Sequence, residues 1–314
     1  MRAKRCSKQI IDYLHTQLGR GLKIAFLPYK SEMWGCMNSV YIEALKADHP
    51  YVCAVPYYTK TASGQLSKEK IDRDYPSYVE YGEFKGADVA IICYPYANGN
   101  NITEIAQEFW AKNIHAYTVY IPYFVAGENI NESFILTEAV YFADAVICES
   151  EVQKSIYISV FEKNPQFKVD KDKFLPFGNP KYDEMAEIVD IPSEWAERTK
   201  DKKVCFVISG LMPILQDGMP RLERLVKVLQ DYNNDEWITI WRPHPFIEEG
   251  IMSMRSELLP LWKATKNWYI NNNIGIWDDK ADYRIGMQIC DKCISDPSSL
   301  ERLCKAIGKE VEML

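Results

Sequence analysis

The chain has 314 residues, of which 47% are hydrophobic and 26% charged, and this composition excludes a disordered tail, a collagen and a small disulfide scaffold. Acidic residues outnumber basic ones, and the formal net charge of −7 disfavours the basic groove of a nucleic-acid-binding protein. The nine cysteines are an odd number, and most lie in apolar segments, which indicates reduced thiols in a reducing compartment.

The sequence carries no signal for membrane insertion or secretion. Its apolar stretches fall short of the roughly 20 residues that cross a bilayer, and the polar N-terminus lacks the apolar core of a secretion signal. We therefore expect a cytoplasmic protein, with at most a peripheral contact between the basic residues 2–5 and the inner face of the membrane.

The first half of the chain alternates short apolar runs with segments of helical periodicity. The runs are rich in β-branched and aromatic residues and are bounded by Gly, Pro, Asp or Asn, which predicts buried parallel strands. These strands are expected at 22–27, 51–55, 88–94, 116–121 and 143–148. Apolar residues at 3.6-residue spacing predict crossover helices around 39–47, 101–112 and 131–143. This order is typical of a doubly wound sheet.

The same pattern restarts after a polar stretch at 184–202. Strands are predicted at 203–208, 237–241, 268–270, 292–295 and 310–313, and helices at 221–232 and 299–307. We therefore predict an α/β protein with two Rossmann-like domains, 1–183 and 203–314, joined by a linker at 184–202. Their parallel sheets are expected to face one another across an interdomain cleft.

Ligands in open α/β sheets bind beyond the carboxyl ends of the strands, so the residues that follow each strand are the candidate site residues. Arg242 and His244 follow the strand at 237–241, and Pro243 and Pro245 stop the strand and restrict the backbone that carries them. A guanidinium beside an imidazole suits a diphosphate. The alternative is a Pro-rich turn with a surface arginine and a capping histidine.

Three further segments follow predicted strands. Asp296, Ser298 and Ser299 begin a helix whose free backbone N–H groups favour an anion, although plain capping is equally compatible. Asn179 and Lys181 lie in a tight turn that would point toward the cleft, and this turn also fits a plain N-cap. Asn38 and Ser39 can begin a helix at a ligand.

Several common sites are missing from the sequence. There is no Gly-x-Gly-x-x-Gly fingerprint for a dinucleotide, no phosphate-binding loop of the Gly-x-x-x-x-Gly-Lys-Ser/Thr type and no Gly-x-Ser-x-Gly elbow. Cys290 and Cys293 have the spacing of two zinc ligands, but no second pair follows. The sequence thus predicts no metal and no cofactor.

The motifs GNPKYD at 178–183, WRPHP at 241–245, DYRI at 282–285 and CDKCISDPSSL at 290–300 follow one another in this order. Together they resemble the CDP-glycerol glycerophosphotransferase family of teichoic-acid primases and polymerases. The resemblance covers mainly 177–305 and implies a GT-B fold whose C-terminal domain binds a CDP-alcohol as co-substrate.

The resemblance also implies roles for the candidate residues. Arg242 and His244 would contact the diphosphate, and Asp296, Ser298 and Ser299 would form the phosphate end of the site. We assign Asn179 and Lys181 to the donor as well, and Asn38 and Ser39 to the acceptor. In this family a Tyr usually stands where this chain has Pro297, so the hydroxyls are kept while the turn is altered.

The implied reaction moves a glycerophosphate or similar polyol phosphate to a hydroxyl of a glycan or lipid-linked acceptor, in the synthesis of a cell-envelope polymer. Family members carry a His-Gly pair after the strand equivalent to 116–121, and the His is the proposed base. This chain instead reads IPYFVAGE at 121–128. The catalytic candidates are therefore His244, Tyr123 and Glu128.

Two alternatives stay open. One is a GT-B glycosyltransferase or epimerase that uses a UDP- or CMP-sugar. The other is a nucleotide-binding relative that has lost the base and the activity, which the altered segment 121–128 favours.

Overall fold

The computed structural model describes residues 5–28, 31–54, 58–60, 66–68, 78–80, 86–95, 116–127, 130–185, 187–280 and 282–314. The chain divides into two compact units, Met1–Ala186 and Glu187–Leu314. Each unit is built on its own parallel sheet, which confirms the predicted α/β class.

The first unit contains a parallel sheet that comprises seven strands of its described residues, in the order β5-β2-β1-β6-β7-β8-β9. The strands among the described residues of the unit are β1 (Lys23–Leu27), β2 (His49–Ala54), β3 (Tyr58–Lys60), β4 (Leu66–Lys68), β5 (Tyr78–Glu80), β6 (Val89–Ile92), β7 (Tyr117–Tyr120), β8 (Ala145–Ile147) and β9 (Phe174–Leu175). Strands β3 and β4 pair with each other in an antiparallel hairpin that the sequence did not predict.

Helices cover both faces of this sheet. They are α1 (Cys6–Leu18), α2 (Asn38–Ala44), α3 (Glu138–Phe142), α4 (Glu151–Lys163) and α5 (Pro180–Glu184), with 3-10 turns at Ser31–Cys36, Glu132–Phe134 and Lys171–Lys173. Successive residues of β1 face opposite sides, so Phe26 packs in the cluster of α1 and α2 and Ala25 in the cluster of α3 and α4. A parallel sheet buried on both faces explains why its strands read as continuous apolar runs. The helix predicted at 101–112 lies outside the described residues.

In the second unit, five strands of the described residues form a parallel sheet in the order β12-β11-β10-β13-β14. These strands are β10 (Lys203–Ser209), β11 (Trp237–Pro243), β12 (Ile276–Trp277), β13 (Lys292–Ser295) and β14 (Glu310–Met313). The helices are α6 (Ser193–Thr199), α7 (Leu211–Asp217), α8 (Met219–Asp231), α9 (Ile247–Met254), α10 (Leu259–Asn271), α11 (Arg284–Ile289) and α12 (Ser299–Ala306), with a 3-10 turn at Ser256–Leu258.

The strand predicted at 268–270 is wrong, because these residues belong to α10. The buried residues Trp262, Thr265 and Tyr269 of this helix are spaced by three and four positions, so the apolar residues near Tyr269 form part of a helical stripe rather than a strand. The strand that pairs with β11 on the side away from β10 is the two-residue β12.

The stretch predicted as a linker contains ordered structure. Helix α6 lies within 184–202, and its Trp195 is only 4% exposed. Over the ranges that the structure describes, no helix combines the length and the apolarity that crossing a membrane requires.

Candidate functional site

Both sheets reverse their strand order at one point, and ligands of doubly wound sheets bind at the carboxyl edge there. In the second unit the order reverses between β10 and β13. Gly210 and Asp296 directly follow these two strands, so both lie at the carboxyl edge where a ligand is expected.

Asp296 joins the ends of these two strands. It is fully buried, its Oδ2 accepts a hydrogen bond of 2.6 Å from the Gly210 N–H, and its Oδ1 accepts from the Arg221 guanidinium. Burial raises the pKa of Asp296, against the opposing effects of the Gly210 N–H and of Arg221. In this structure the carboxylate therefore shapes the edge, and its contact with a donor stays a prediction.

Ser298 is the N-cap of α12. Its backbone is extended, and its Oγ accepts a hydrogen bond of 3.1 Å from the Glu301 N–H. Ser299 is the first residue of the helix and is partly exposed. The helix α12 thus begins three residues after Asp296, at the carboxyl edge of β13.

Arg242 lies at the carboxyl end of β11, but its guanidinium is buried and engaged. One nitrogen, Nη1, donates to Asp278 Oδ2 at 2.9 Å, and Nη2 donates to the Lys280 carbonyl at 2.9 Å. Asp278 is 1% exposed, and burial raises its pKa although Arg242 opposes that shift. Arg242 therefore holds the turn after β12, and direct contact with a diphosphate remains a hypothesis.

His244 follows β11 and is exposed. Its backbone N–H donates to the Ser209 carbonyl at 2.8 Å, and its Nδ1 accepts from the Phe246 N–H at 3.1 Å. Although His244 is exposed, the protein atoms around its ring displace water and lower its pKa, against the opposing charge of Glu249. A neutral ring whose Nδ1 accepts carries its proton on Nε2, so His244 can donate a hydrogen bond to a phosphate oxygen.

The other candidates meet in the first unit, around α5. Asn179 caps this helix through the Lys181 N–H at 3.0 Å and donates to the Phe124 carbonyl at 3.1 Å. Ser39 donates to the Pro180 carbonyl at 3.2 Å. The structure thus brings Ser39, Asn179 and Lys181 together, in a different unit from Arg242 and His244.

Lys181 and Asn38 differ in their surroundings. Lys181 is buried, and burial lowers its pKa, against the opposing effect of Cys36 and Glu184. Asn38 is the first residue of α2 and is partly exposed.

Tyr123 lies in the turn that follows β7. Its ring stacks on Tyr94, with centroids 6.4 Å apart, and meets Phe124 edge-on at 5.3 Å. The other base candidate of this segment, Glu128, lies outside the described residues.

Two residues that the sequence analysis did not select fix this turn. The Glu149 carboxylate accepts hydrogen bonds from the Ala126 and Gly127 N–H groups at 2.7 and 3.1 Å. Gln153 donates to the Gly127 carbonyl at 3.0 Å and accepts from the Glu149 N–H at 2.7 Å. We call residues 123–127 with Glu149 and Gln153 the clamped turn. Glu149 follows β8 closely, so inspecting the residues after every strand would have found it.

Eight cysteines whose side chains the structure describes are buried and free of disulfides: Cys6, Cys36, Cys93, Cys148, Cys205, Cys290, Cys293 and Cys304. Within the described ranges, no group of three or more His, Cys, Asp or Glu side chains is arranged to hold a metal ion. The metal-independent reaction expected from the sequence stays a prediction.

No protein-family model matches the sequence, and no curated protein matches it. Solved structures do match. A putative UDP-N-acetylglucosamine 2-epimerase from Listeria monocytogenes is 10% identical, with 93% of this chain and 78% of that chain covered and a TM-score of 0.55. UDP-GlcNAc 2-epimerase from Neisseria meningitidis, bound to UDP-GlcNAc, is 13% identical, with coverages of 93% and 81% and a TM-score of 0.55.

The wall teichoic acid polymerase TagF is 12% identical, with 92% of this chain and 69% of that chain covered and a TM-score of 0.45. The two epimerase structures, whose TM-scores exceed 0.5, show the fold. It is a GT-B-like α/β fold with two parallel sheets.

Proposed function

We propose that this protein is an enzyme that binds a nucleotide-activated donor at the carboxyl edge of its second sheet. Our first candidate reaction transfers a glycerophosphate or similar polyol phosphate from a CDP-alcohol to a hydroxyl of a glycan or lipid-linked acceptor. The proposal combines the resemblance of the sequence to CDP-glycerol glycerophosphotransferases with the GT-B-like fold.

One observation supports it above the others. The segments that carry the resemblance, around His244 and Asp296, are tied to the same strand end: the His244 N–H donates to the Ser209 carbonyl, and the Asp296 carboxylate accepts from the Gly210 N–H. Motifs that are about fifty residues apart in the sequence therefore meet at the point where the strand order reverses.

In the proposed reaction, an acceptor oxygen attacks the β-phosphorus of the donor in line. The bond from this phosphorus to the bridging oxygen breaks, CMP leaves, and the hydroxyl proton passes to a base. Catalysis of such a transfer depends mainly on positioning and on stabilising charge. His244 would donate its Nε2–H to a phosphate oxygen, and the first turn of α12 would add backbone N–H groups.

The first experiment is calorimetric titration of the intact chain with CDP-glycerol, CDP-ribitol, CMP, UDP and UDP-GlcNAc. We expect selective binding of the cytidine nucleotides, and we expect His244→Ala to weaken it by about ten-fold, the effect of one hydrogen bond to a charged group. The matched control is His49→Ala, because His49 is exposed at the amino end of β2. Failure of every nucleotide to bind would overturn the proposal.

The second candidate is an enzyme that acts on a UDP-sugar. It is favoured by the likeness to UDP-GlcNAc 2-epimerases over 93% of the chain. Selective binding of UDP and UDP-GlcNAc, followed by NMR detection of inversion at the sugar C2, would support this candidate and exclude the first. Nucleotide binding without turnover of either donor class would instead indicate the inactive relative.

A further inference from the structure

The turn that follows β12, residues 278–280, is held by two buried charged side chains. The Lys280 N–H donates to Asp278 Oδ1 at 3.2 Å, and the Lys280 carbonyl accepts from Arg242 Nη2 at 2.9 Å. Both polar backbone groups of Lys280 are therefore fixed, one by each member of the Arg242–Asp278 ion pair.

Burial of the Arg242–Asp278 ion pair in this turn costs free energy. Arg242 is 7% exposed and Asp278 is 1% exposed, and taking two charges out of water requires compensating hydrogen bonds of good geometry. The pair obtains some of them from the backbone of Lys280. The strand that the turn follows has only two residues, so the turn depends on these side chains for its position.

The side chain of Lys280 contrasts with its backbone. The residue is exposed, and its ammonium makes no ion pair or hydrogen bond with any residue that the structure describes. The two terminal nitrogens of Arg242, by contrast, donate within the protein. Of these two cations, Lys280 is the one available to a ligand.

The register places this cation at the candidate site. Trp241 is paired with Trp277 across β11 and β12, and His244 and Lys280 each lie three residues beyond their partner of that pair. Adjacent parallel strands lie about 4.8 Å apart, and the hydrogen bond from Arg242 to Lys280 keeps the two segments together beyond the last paired residues. Lys280 and His244 therefore lie at the same edge of the sheet.

We propose that Lys280 binds a phosphate group of the nucleotide donor, and that Arg242 and Asp278 position it without contacting the donor. This inference rests on the proposed function, since it specifies how the same edge recognises its donor. It also reassigns Arg242, which the sequence suggests as a direct ligand of the diphosphate.

The test is calorimetric titration of the intact chain with CDP, UDP and inorganic pyrophosphate at several salt concentrations. We expect Lys280→Ala to weaken binding of the preferred nucleotide by about ten-fold and to make the affinity less dependent on salt. Lys280→Arg should keep the affinity within about three-fold, because the charge is retained. Lys227→Ala is the matched control, as Lys227 is an exposed lysine of α8 in the same unit.

The positioning role is tested with Asp278→Asn and Arg242→Met, alone and combined with Lys280→Ala. Each is expected to weaken binding when Lys280 is present and to add little in the Lys280→Ala background. If Arg242→Met weakens binding as much in the Lys280→Ala background as it does when Lys280 is present, Arg242 contacts the donor itself, which overturns the positioning role. Thermal unfolding of each variant identifies those that do not fold, and the Lys280 variants, whose side chain is exposed, then decide the proposal.

The two proposals fail in different ways. If the wild-type chain binds no nucleotide and no pyrophosphate, the proposed function is overturned and this inference with it. If the wild-type chain binds a nucleotide and Lys280→Ala binds it equally well, only the role of Lys280 is overturned.

Discussion

Two carboxylates in the second unit are used in the same way. Asp278 and Asp296 each follow directly after a strand, β12 and β13, and each is buried beside an arginine, Arg242 and Arg221. Each also accepts a backbone N–H, from Lys280 and Gly210 respectively. A buried charged side chain is tolerated at a strand end because it forms a hydrogen bond with a backbone N–H group that would otherwise have no partner there.

Asp296→Ala is expected to destabilise the second unit by about 3–5 kcal/mol, because removal of one partner leaves the Arg221 charge buried without its counterion. The free energy of unfolding from urea titration measures this effect. Glu236→Ala serves as the control, since it removes an ion pair with Lys203 in which both side chains are more than half exposed. An equal loss for both variants would contradict the role of burial.

His244 should make stability depend on pH. The pKa of the unfolded chain is about 6.5, and the folded pKa is lower, chiefly because the protein atoms around the ring displace water. The unfolded chain therefore binds the proton first as the pH falls below 6.5, so this contribution to stability is present above that value and is lost toward the folded pKa. Protonation of Nδ1 also removes the bond from the Phe246 N–H.

The measurement compares urea unfolding of the wild type and of His244→Gln at pH 7.5 and 5.5. We expect the wild type to lose more stability than the variant on acidification. The same loss in both proteins would show that other groups cause the pH dependence.

In the first unit, the clamped turn is held by hydrogen bonds from side chains rather than by the regular backbone hydrogen bonds of a sheet. Gln153→Ala removes the hydrogen bonds to the Gly127 carbonyl and from the Glu149 N–H. Because Gln153 is 2% exposed, we expect the substitution to lower the free energy of unfolding by about 1–3 kcal/mol. Amide hydrogen exchange at Ala126 and Gly127 should become faster, whereas the exposed Gln230→Ala should leave both rates unchanged.

Gly275 precedes β12 and leaves no room for a side chain. A Cβ there would clash with the Tyr269 hydroxyl and would lie 2.5 Å from the Thr239 carbonyl oxygen, so the backbone would have to move. We expect Gly275→Ala to lower the free energy of unfolding by about 1–3 kcal/mol. Addition of Tyr269→Phe, which removes the nearest atom, should recover part of the loss, and a purely additive double variant would contradict this explanation.

The strands could be predicted from the sequence because burial on both faces gives uninterrupted apolar runs. This signal fails for short elements. The two residues of β12 are too few to form a run, and the apolar residues around Tyr269 formed a false one inside α10. The hairpin of β3 and β4 has three residues on each side, which is below the length at which alternation can be recognised.

The candidate site was only partly predictable for a related reason. A rule that inspects residues after strands selects Asp296 and His244, but it misses Asp278 and Lys280 when β12 itself is missed. The sequence also cannot show that Arg242 is engaged by Asp278, because the partner lies 36 residues away. Long-range pairing of charges decides which cation is free, and local motifs do not contain that information.

At the scale of the whole molecule, the described core clusters each belong to a single unit. Phe26 and Val40 are in a cluster of the first unit, and Leu225 and Trp241 are in a cluster of the second. Leu225→Ala should therefore destabilise the second unit by about 2–5 kcal/mol. Hydrogen exchange should accelerate in β10 and β11 and stay unchanged in β1 and β6, and the reciprocal variant Leu14→Ala should show the opposite pattern.

The buried thiols give the molecule a built-in chemical reporter. Burial raises the pKa of Cys148 and of Cys205 to about 12, and since the thiolate is the reactive form, alkylating reagents should modify these thiols very slowly in the native chain. The eight buried cysteines of the described residues divide evenly, with four in each unit. Mass spectrometry of a pulse-alkylated sample would thus count, unit by unit and without any introduced label, how often each half of the protein opens.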